Sequence, residues 1–425
     1  MGYKTKKFKA DDQQEFKYIL GAFLKYHRLQ ERLSLVFISD VIHINKGYLS
    51  EVENGKRFLA PKHIDEVMGF LGIKFDDNKN ILLELRKLLK ELMTYYISID
   101  YDEITKKVLF IYDKESHYLN SYGFFVYHLI KLLFEILIHG DTDSIIEIEQ
   151  LLLNYTDALN DEEQIIFFIL MANYYMQCND IDKSYIYINQ GYEKLEIFNN
   201  TLYLSILKHI EAGILSYLGF GNRAYICSID ALKYFQSTYY FKRILAINNT
   251  IGLSLVAMGL YKDAESHYLT VLNSLDGSAV EEKITILNNL SWCCTLGGMY
   301  DNAIYYSDLA LKSGSKFKEL LINKPYSLYK LDMKNEAAEL IIEELKNDLP
   351  LYFECFLEVL YYRIVNDENM FIIKAKDLYE LTIEKKDIEI RKLVLDLMIE
   401  YYKEKKDYSE IIECLENMLS CYRTL

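Results

Sequence analysis

Six polar side chains near the N-terminus have the types and spacing to read DNA: Asn45, Lys46, Tyr48, Ser50, Lys56 and Arg57. Asn and Ser exchange hydrogen bonds with base edges, whereas Lys and Arg meet phosphates and fix register. These residues stand in the run Leu33 to Arg57, LSLVFISDVIHINKGYLSEVENGKR. Its apolar positions Leu33, Ile38, Val41, Ile44, Leu49 and Val52 keep helical spacing with one interruption, at His43 to Asn45. That spacing predicts two short helices meeting at an angle. In such a pair the second helix lies in the major groove and the first braces it, so inner positions are apolar and outer ones polar. The second helix is expected to begin at Asn45, a favoured N-cap, and to present Lys46, Gly47, Tyr48, Ser50 and Glu51 outward. Gly55 can take the left-handed conformation that stops a helix.

The segment YLSEVENGKR, Tyr48 to Arg57, resembles the helix-turn-helix of Cro and the phage repressors, whose usual run is close to YLSxIENGKR. The likeness extends over roughly residues 14 to 75. It departs at Leu35, where the family often has a Gln that touches DNA, and at His43, where a small turn residue is common. His43 must therefore tolerate an unusual backbone angle. The resemblance implies a DNA-binding domain over residues 1–75 with a double-stranded operator as partner. Lys4, Lys6, Lys7 and Lys9 form a basic arm that could follow a phosphate strand.

Charge supports the same division. The net charge is −15, yet residues 1–75 hold 13 Lys and Arg against 9 Asp and Glu. The remainder therefore holds 35 against 54, so an acidic body of −19 follows a head of +4. Such a body repels DNA and confines any DNA contact to the head. Only three Pro and 18 Gly occur in 425 residues, too few breakers for a loop-rich or β-rich chain, so the expected class is all-α. The seven Cys show no paired or Cys/His ligand spacing, and they read as reduced, buried residues in a cytoplasmic protein without metal or cofactor. The most apolar stretch, Phe124 to His139, contains His128, Lys131 and Glu135 and reads as a buried helix rather than a membrane span.

After a polar linker at residues 76–80, a pattern recurs through residues 81–425. IGLSLVAMGLYKDAESHYLTVL and LSWCCTLGGMYDNAIYYSDLAL are its clearest copies, with Gly259, Tyr261 and Ala264 matching Gly298, Tyr300 and Ala303. They resemble tetratricopeptide (TPR) repeats, in which small residues let paired antiparallel helices approach closely. Weaker copies place the small position at Ser184, Ala224 and Ala337, and degenerate ones fall near Ile104, Ile145 and Ile411. Positions 104, 145, 184, 224, 264, 303 and 337 differ by 41, 39, 40, 40, 39 and 34. Eight or nine pairs are thus expected, with the register of about Leu351 to Lys385 left open. Such repeats stack into a right-handed superhelix whose concave groove is lined by the first helix of each pair.

Alignment on Ala224, Ala264 and Ala303 puts His209, Asn249 and Asn288 at one groove-facing position. Asn248, Asn289 and Asn323 lie beside that row, and Asn173 lies a turn further along in an earlier repeat. An Asn amide both donates and accepts, so a ladder of them can pair with an extended peptide backbone. Selectivity would come from Trp292, Leu253, Tyr217 and Lys208.

A Cro-type helix-turn-helix followed by a long degenerate TPR array resembles the peptide-pheromone receptors of Gram-positive bacteria, the group of Rap, Rgg, NprR, PlcR and PrgX. The resemblance implies a homodimeric quorum-sensing transcription regulator, switched by a short signalling peptide held in the concave groove. Two alternatives stay open: a Rap-like protein that promotes dephosphorylation of a response regulator, and a TPR scaffold with a vestigial head. Independent enzyme chemistry has little support, because no G-x-x-x-x-G-K-[ST], H-E-x-x-H or G-x-S-x-G run is present.

Overall fold

The computed structural model describes residues 12–275 and 279–423. The basic arm at Lys4, Lys6, Lys7 and Lys9 lies outside them. The described residues are all-α, with one isolated bridge between Asp76 and Ser121. Two compact units divide the chain, Met1–Leu207 and Lys208–Leu425.

The first unit begins with α1 (Asp12–Gln30), α2 (Leu35–Val41), α3 (Lys46–Glu53) and α4 (Pro61–Phe70). Next come α5 (Asn80–Ser98), α6 (Tyr101–Tyr112), the short α7 (Glu115–Leu119) and α8 (Phe124–Phe134), which runs on into a π-helical turn. Then α9 (Thr142–Asn154), α10 (Asp161–Gln177) and α11 (Ile181–Phe198) follow, and α12 (Thr201–Tyr217) carries the boundary. The apolar stretch expected to be internal is so: Phe124, Phe125, Val126, Tyr127, Leu129 and Ile130 in α8 are all buried.

The helix α1 belongs as much to this bundle as to the head. Phe23 packs on Phe75 and Phe124, with ring centroids 5.1 and 5.3 Å away, and Phe16 meets Tyr122 at 4.9 Å. Beside them Arg86 of α5 bridges two carboxylates, Glu15 of α1 at 2.5 Å and Glu163 of α10 at 2.6 Å. The linker residue Asp76 is itself held, its N–H donating to the Asn120 carbonyl at 2.7 Å.

The second unit contains α13 (Gly221–Phe235), α14 (Phe241–Ala257), α15 (Tyr261–Ser274), α16 (Val280–Leu296), α17 (Tyr300–Lys312) and α18 (Leu320–Lys330). It ends with α19 (Lys334–Glu344), α20 (Leu351–Ile364), α21 (Glu368–Glu384), α22 (Ile388–Lys405) and α23 (Tyr408–Arg423). From α5 onward the described helices form nine antiparallel pairs with α7 as an extra, and this is a TPR-like array.

One backbone feature punctuates every pair. A residue with positive φ ends each first helix: Ile99, Gly140, Asn179, Gly219, Gly259, Gly298, Asp332, Asn366 and Lys406. The left-handed conformation lets the last N–H groups bond back to the helix and reverses the chain. Five residues after each stands the position inferred from the repeats, at 104, 145, 184, 224, 264, 303, 337 and 411. Counting on from Asn366 supplies the missing register: Phe371, 1% exposed, holds that position in the pair α20 and α21. Ala224, Ala264, Ala303 and Ala337 are fully buried, and a Cβ at Gly252 would lie 2.2 Å from the Tyr268 ring. Close approach of α14 and α15 therefore depends on small residues.

Candidate functional site

Two sites were expected from sequence, and the structure builds each from its own elements. In the head, the Ser34 hydroxyl caps α2, and the Asn45 side chain caps α3 by accepting from the Gly47 and Tyr48 N–H groups. The turn between them passes through His43 at φ +54, the strained angle its position requires. Leu49 and Val52 are buried, while Lys46, Lys56 and Arg57 are exposed and Ser50 is half-buried. With Asn45 engaged as that cap, two more of the six candidates are also engaged within the head. Tyr48 Oη donates to the Phe58 carbonyl at 2.7 Å and accepts from the Ala60 N–H, so it fastens the loop after α3. Arg57 pairs with Glu51 at 2.8 Å across an open surface.

A buried ion pair that residue spacing does not reveal fixes α3 in place. Arg28, on α1, grips the Glu53 carboxylate with Nε at 2.7 Å and a second nitrogen at 2.8 Å, and its third reaches the Leu33 carbonyl. Both side chains are buried. Gly21 lets the helices touch, since a Cβ there would sit 2.2 Å from the Val52 carbonyl oxygen.

The second site is a cavity of about 240 Å³ inside the second unit. It is lined by Gly213, Ser216 and Tyr217 of α12, Leu253 of α14, Trp292 of α16, Ile322 of α18, and Tyr352 and Phe353 of α20. Glu319, Asp387, Glu389 and Ile390 complete it, so the first helices of six successive pairs converge there. Gly213, Leu253 and Trp292 stand four residues beyond His209, Asn249 and Asn288. The expected row is thus one helical turn from the cavity wall, on the same helix faces.

Within that row the contacts differ. Asn289 Nδ2 donates to Asn249 Oδ1 at 2.6 Å, a link between neighbouring repeats. Asn248 bonds back to the Ile244 carbonyl at 2.9 Å. His209 meets Thr250 Oγ1 at 3.1 Å; burial, with Arg243 nearby, lowers its pKa to about 3, which keeps the ring neutral. Lys208 pairs with Asp230 at 2.7 Å. Asn288 and Asn323 are buried rather than displayed: Asn323 donates to Ser291 Oγ at 3.1 Å, and the Oδ1 of each lacks a partner among the described residues. Asn173 is half-buried on α10, in the first unit. Of the proposed selectivity residues, Trp292, Leu253 and Tyr217 line the cavity, and Lys208 does not.

Trp292 Nε1 donates to Glu389 Oε2 at 2.5 Å, Tyr352 Oη donates to Asp387 Oδ2 at 2.7 Å, and Tyr217 Oη donates to the Lys385 carbonyl at 2.6 Å. These three bonds tie α12 to the end of α21, and α16 and α20 to the start of α22. Burial, with Asp387 adding to it, pushes the Glu389 carboxyl up to about 7, against a lowering pull from the Trp292 N–H.

Among solved structures the chain is similar to a Rap protein complexed with competence and sporulation factor, at 12% identity and TM-score 0.67, covering 82% of this chain and 99% of that one. It is similar also to the apo quorum sensor NprR from B. thuringiensis, at 14% identity and TM-score 0.64, covering 80% and 99%. This chain has the Rap and NprR fold. Aspartyl phosphate phosphatase F from Bacillus subtilis shares it at 13% identity and TM-score 0.53, covering 83% and 96%. No protein-family model and no curated protein matches the sequence. The Rap and NprR likeness reinforces the TPR-like reading of the array, and a Rap protein was solved with its competence and sporulation factor bound.

Glu389, Asp387, Tyr352 and Phe353 were not legible as site residues. Tyr352 and Phe353 lie in the pair whose turn is at Asn366, where the repeat has tightened from about 40 to 34 residues, and Asp387 and Glu389 in the pair whose turn is at Lys406; neither turn carries a Gly. The available signal was the step from Asn288 to Trp292, one turn along a helix already in register. No cluster of His, Cys, Asp and Glu suited to a metal ion occurs among the described residues, and none of their helices is long and apolar enough to cross a membrane.

Proposed function

We propose that this chain is a cytoplasmic, homodimeric DNA-binding regulator switched by a short signalling peptide in the concave groove of its array. The cavity where α12, α14, α16, α18, α20 and α22 converge carries this reading, because it joins the first and last repeats of one unit around a single recess. A peptide lying along the Asn249 and Asn289 amides with one side chain in that recess favours one curvature of the array over others. Only such differential binding shifts a conformational equilibrium. The α3 residues Lys46 and Ser50, with Lys56, contact DNA, and Asn45 and Tyr48 hold the reading helix and its following loop in shape.

The test is sequence selection from random duplex DNA by the full chain, followed by calorimetry with peptides encoded beside its gene. Enrichment of a two-fold symmetric site whose occupancy a peptide alters supports the proposal. Absence of any enriched sequence, with and without peptide, refutes it. The shared fold with aspartyl phosphate phosphatase F supports a second reading, a protein that dephosphorylates a response regulator. Since α1 packs into the bundle, that activity is assayed on the full chain with Lys46 and Lys56 changed to Ala rather than on a truncated one. Phosphate release above the regulator's own rate would favour this second reading.

A further inference from the structure

The cavity described above is acidic in a way a peptide-backbone ladder does not explain. Glu319, Asp387 and Glu389 contribute three carboxylates to its wall, and no Lys or Arg is among the described residues lining it. Glu389 accepts from Trp292 on one oxygen, whereas a carboxylate has room for about four hydrogen bonds. Asp387 is better served, by Tyr352 Oη and, as the N-cap of α22, by the Ile390 N–H at 3.0 Å. Apart from Gly213 and Ser216, the remaining wall is aromatic and aliphatic, with Trp292, Tyr217 and Tyr352 nearest in kind to a cation-binding set. Rings beside a carboxylate attract a cation through their negative faces as well as through the charge. At about 240 Å³ the space falls short of the roughly 300 Å³ at which pockets for drug-sized molecules begin, so it admits one side chain or one chain end.

We propose that this cavity is a subsite for one cationic group of the ligand, a guanidinium or alkylammonium, seated against Glu389 and among the Trp292, Tyr217 and Tyr352 rings. The proposal rests on reading the groove as a ligand site, and it adds the chemical class that the groove selects. The raised pKa of Glu389 is consistent with it: the carboxylate is held in the protein at the cost of ionisation, and a bound cation removes that cost. Nearby cations offset that cost only in part. Arg391 is committed to the Thr382 carbonyl at 2.8 Å, and Lys392 lowers the Glu389 pKa by less than burial raises it. The cation could come from an Arg or Lys side chain or from the peptide's amino terminus.

The chain has a single Trp, and it is in this wall, so its emission reports on the cavity alone. The full chain is titrated with N-acetylated, amidated Arg-Leu, Lys-Leu and citrulline-Leu, and with Leu-Leu amide with and without its acetyl group. A saturable change in Trp292 emission is expected from the cationic probes and not from citrulline-Leu or acetylated Leu-Leu. Response to the acetylated Arg or Lys probe identifies a side-chain cation, and response to free Leu-Leu amide identifies the amino terminus. E389Q should weaken the responding probe at least tenfold with the fold intact by circular dichroism. Leu253→Lys, which places an ammonium at the wall, should abolish the response and provides a second test if E389Q does not fold. Equal binding of citrulline-Leu and Arg-Leu, no response to any cation, or unchanged affinity in both variants would overturn the proposal. DNA selection on the same protein separates the outcomes: cation binding without any enriched DNA sequence leaves the subsite standing and removes the regulator reading.

Discussion

Glu389 makes the second unit sensitive to pH, and the sign follows from its direction of shift. Its carboxyl titrates near 7 in the folded protein against a reference of 4.5, so the folded state holds the proton more tightly than the unfolded chain. Stability therefore falls as pH rises from about 4.5 to 7 and levels off above. Melting temperatures at pH 5 and 8 should show the fall, and E389Q should flatten it; an unchanged slope would mean that other groups set it. Of its neighbours, Asp387 is also raised by burial, and the tyrosines Tyr268 and Tyr352 titrate far above this range. In the head, Tyr48→Phe removes two hydrogen bonds of a half-exposed hydroxyl and should cost about 1 kcal/mol, seen in denaturant unfolding, with DNA affinity reduced only through that loss. Loss of sequence selectivity in the same variant would instead mean that the hydroxyl reads a base. Glu53→Gln leaves Arg28 buried with a weaker partner and should destabilise the head by about 3 kcal/mol.

Among the elements, the repeat was legible wherever a left-handed turn uses Gly. Gly219, Gly259 and Gly298 each announce a helix end, and the buried Ala five residues on confirms the pair. At Asn366 the same conformation is taken by a side-chain-bearing residue and the position five residues on is Phe371 rather than a small residue, so that pair can be placed only by counting. Helix α3 was legible because its caps and apolar positions are local to one short run. Its attachment was not, since Arg28 and Glu53 are 25 positions apart and look like ordinary surface charges until folding brings them together. Gly252→Ala tests whether close helix approach matters for the groove. It should force α14 from α15 at Tyr268, lower the melting temperature, and weaken cation-probe binding at Leu253 next to it, while DNA selection by the head is retained.

At the scale of the molecule, a head of +4 precedes a body of −19, so on the proposed function DNA affinity should fall far more steeply with salt than affinity for a peptide that seats one cation. Parallel titrations at 50 and 200 mM salt check this; equal slopes would move the DNA contact off the head. The clamp formed by Arg86 on Glu15 and Glu163, together with Phe23 on Phe124, makes α1 a shared strut of the head and the helical bundle behind it. A head mounted on a strut behaves as the jaw of a caliper rather than as a weight on a string. In the DNA-binding dimer proposed above its reach would be set by the protein, and an operator would have to match it. Adding five base pairs between half-sites turns one of them to the far side of the duplex and should nearly abolish binding, and Arg86→Met, by loosening the jaw, should restore part of it.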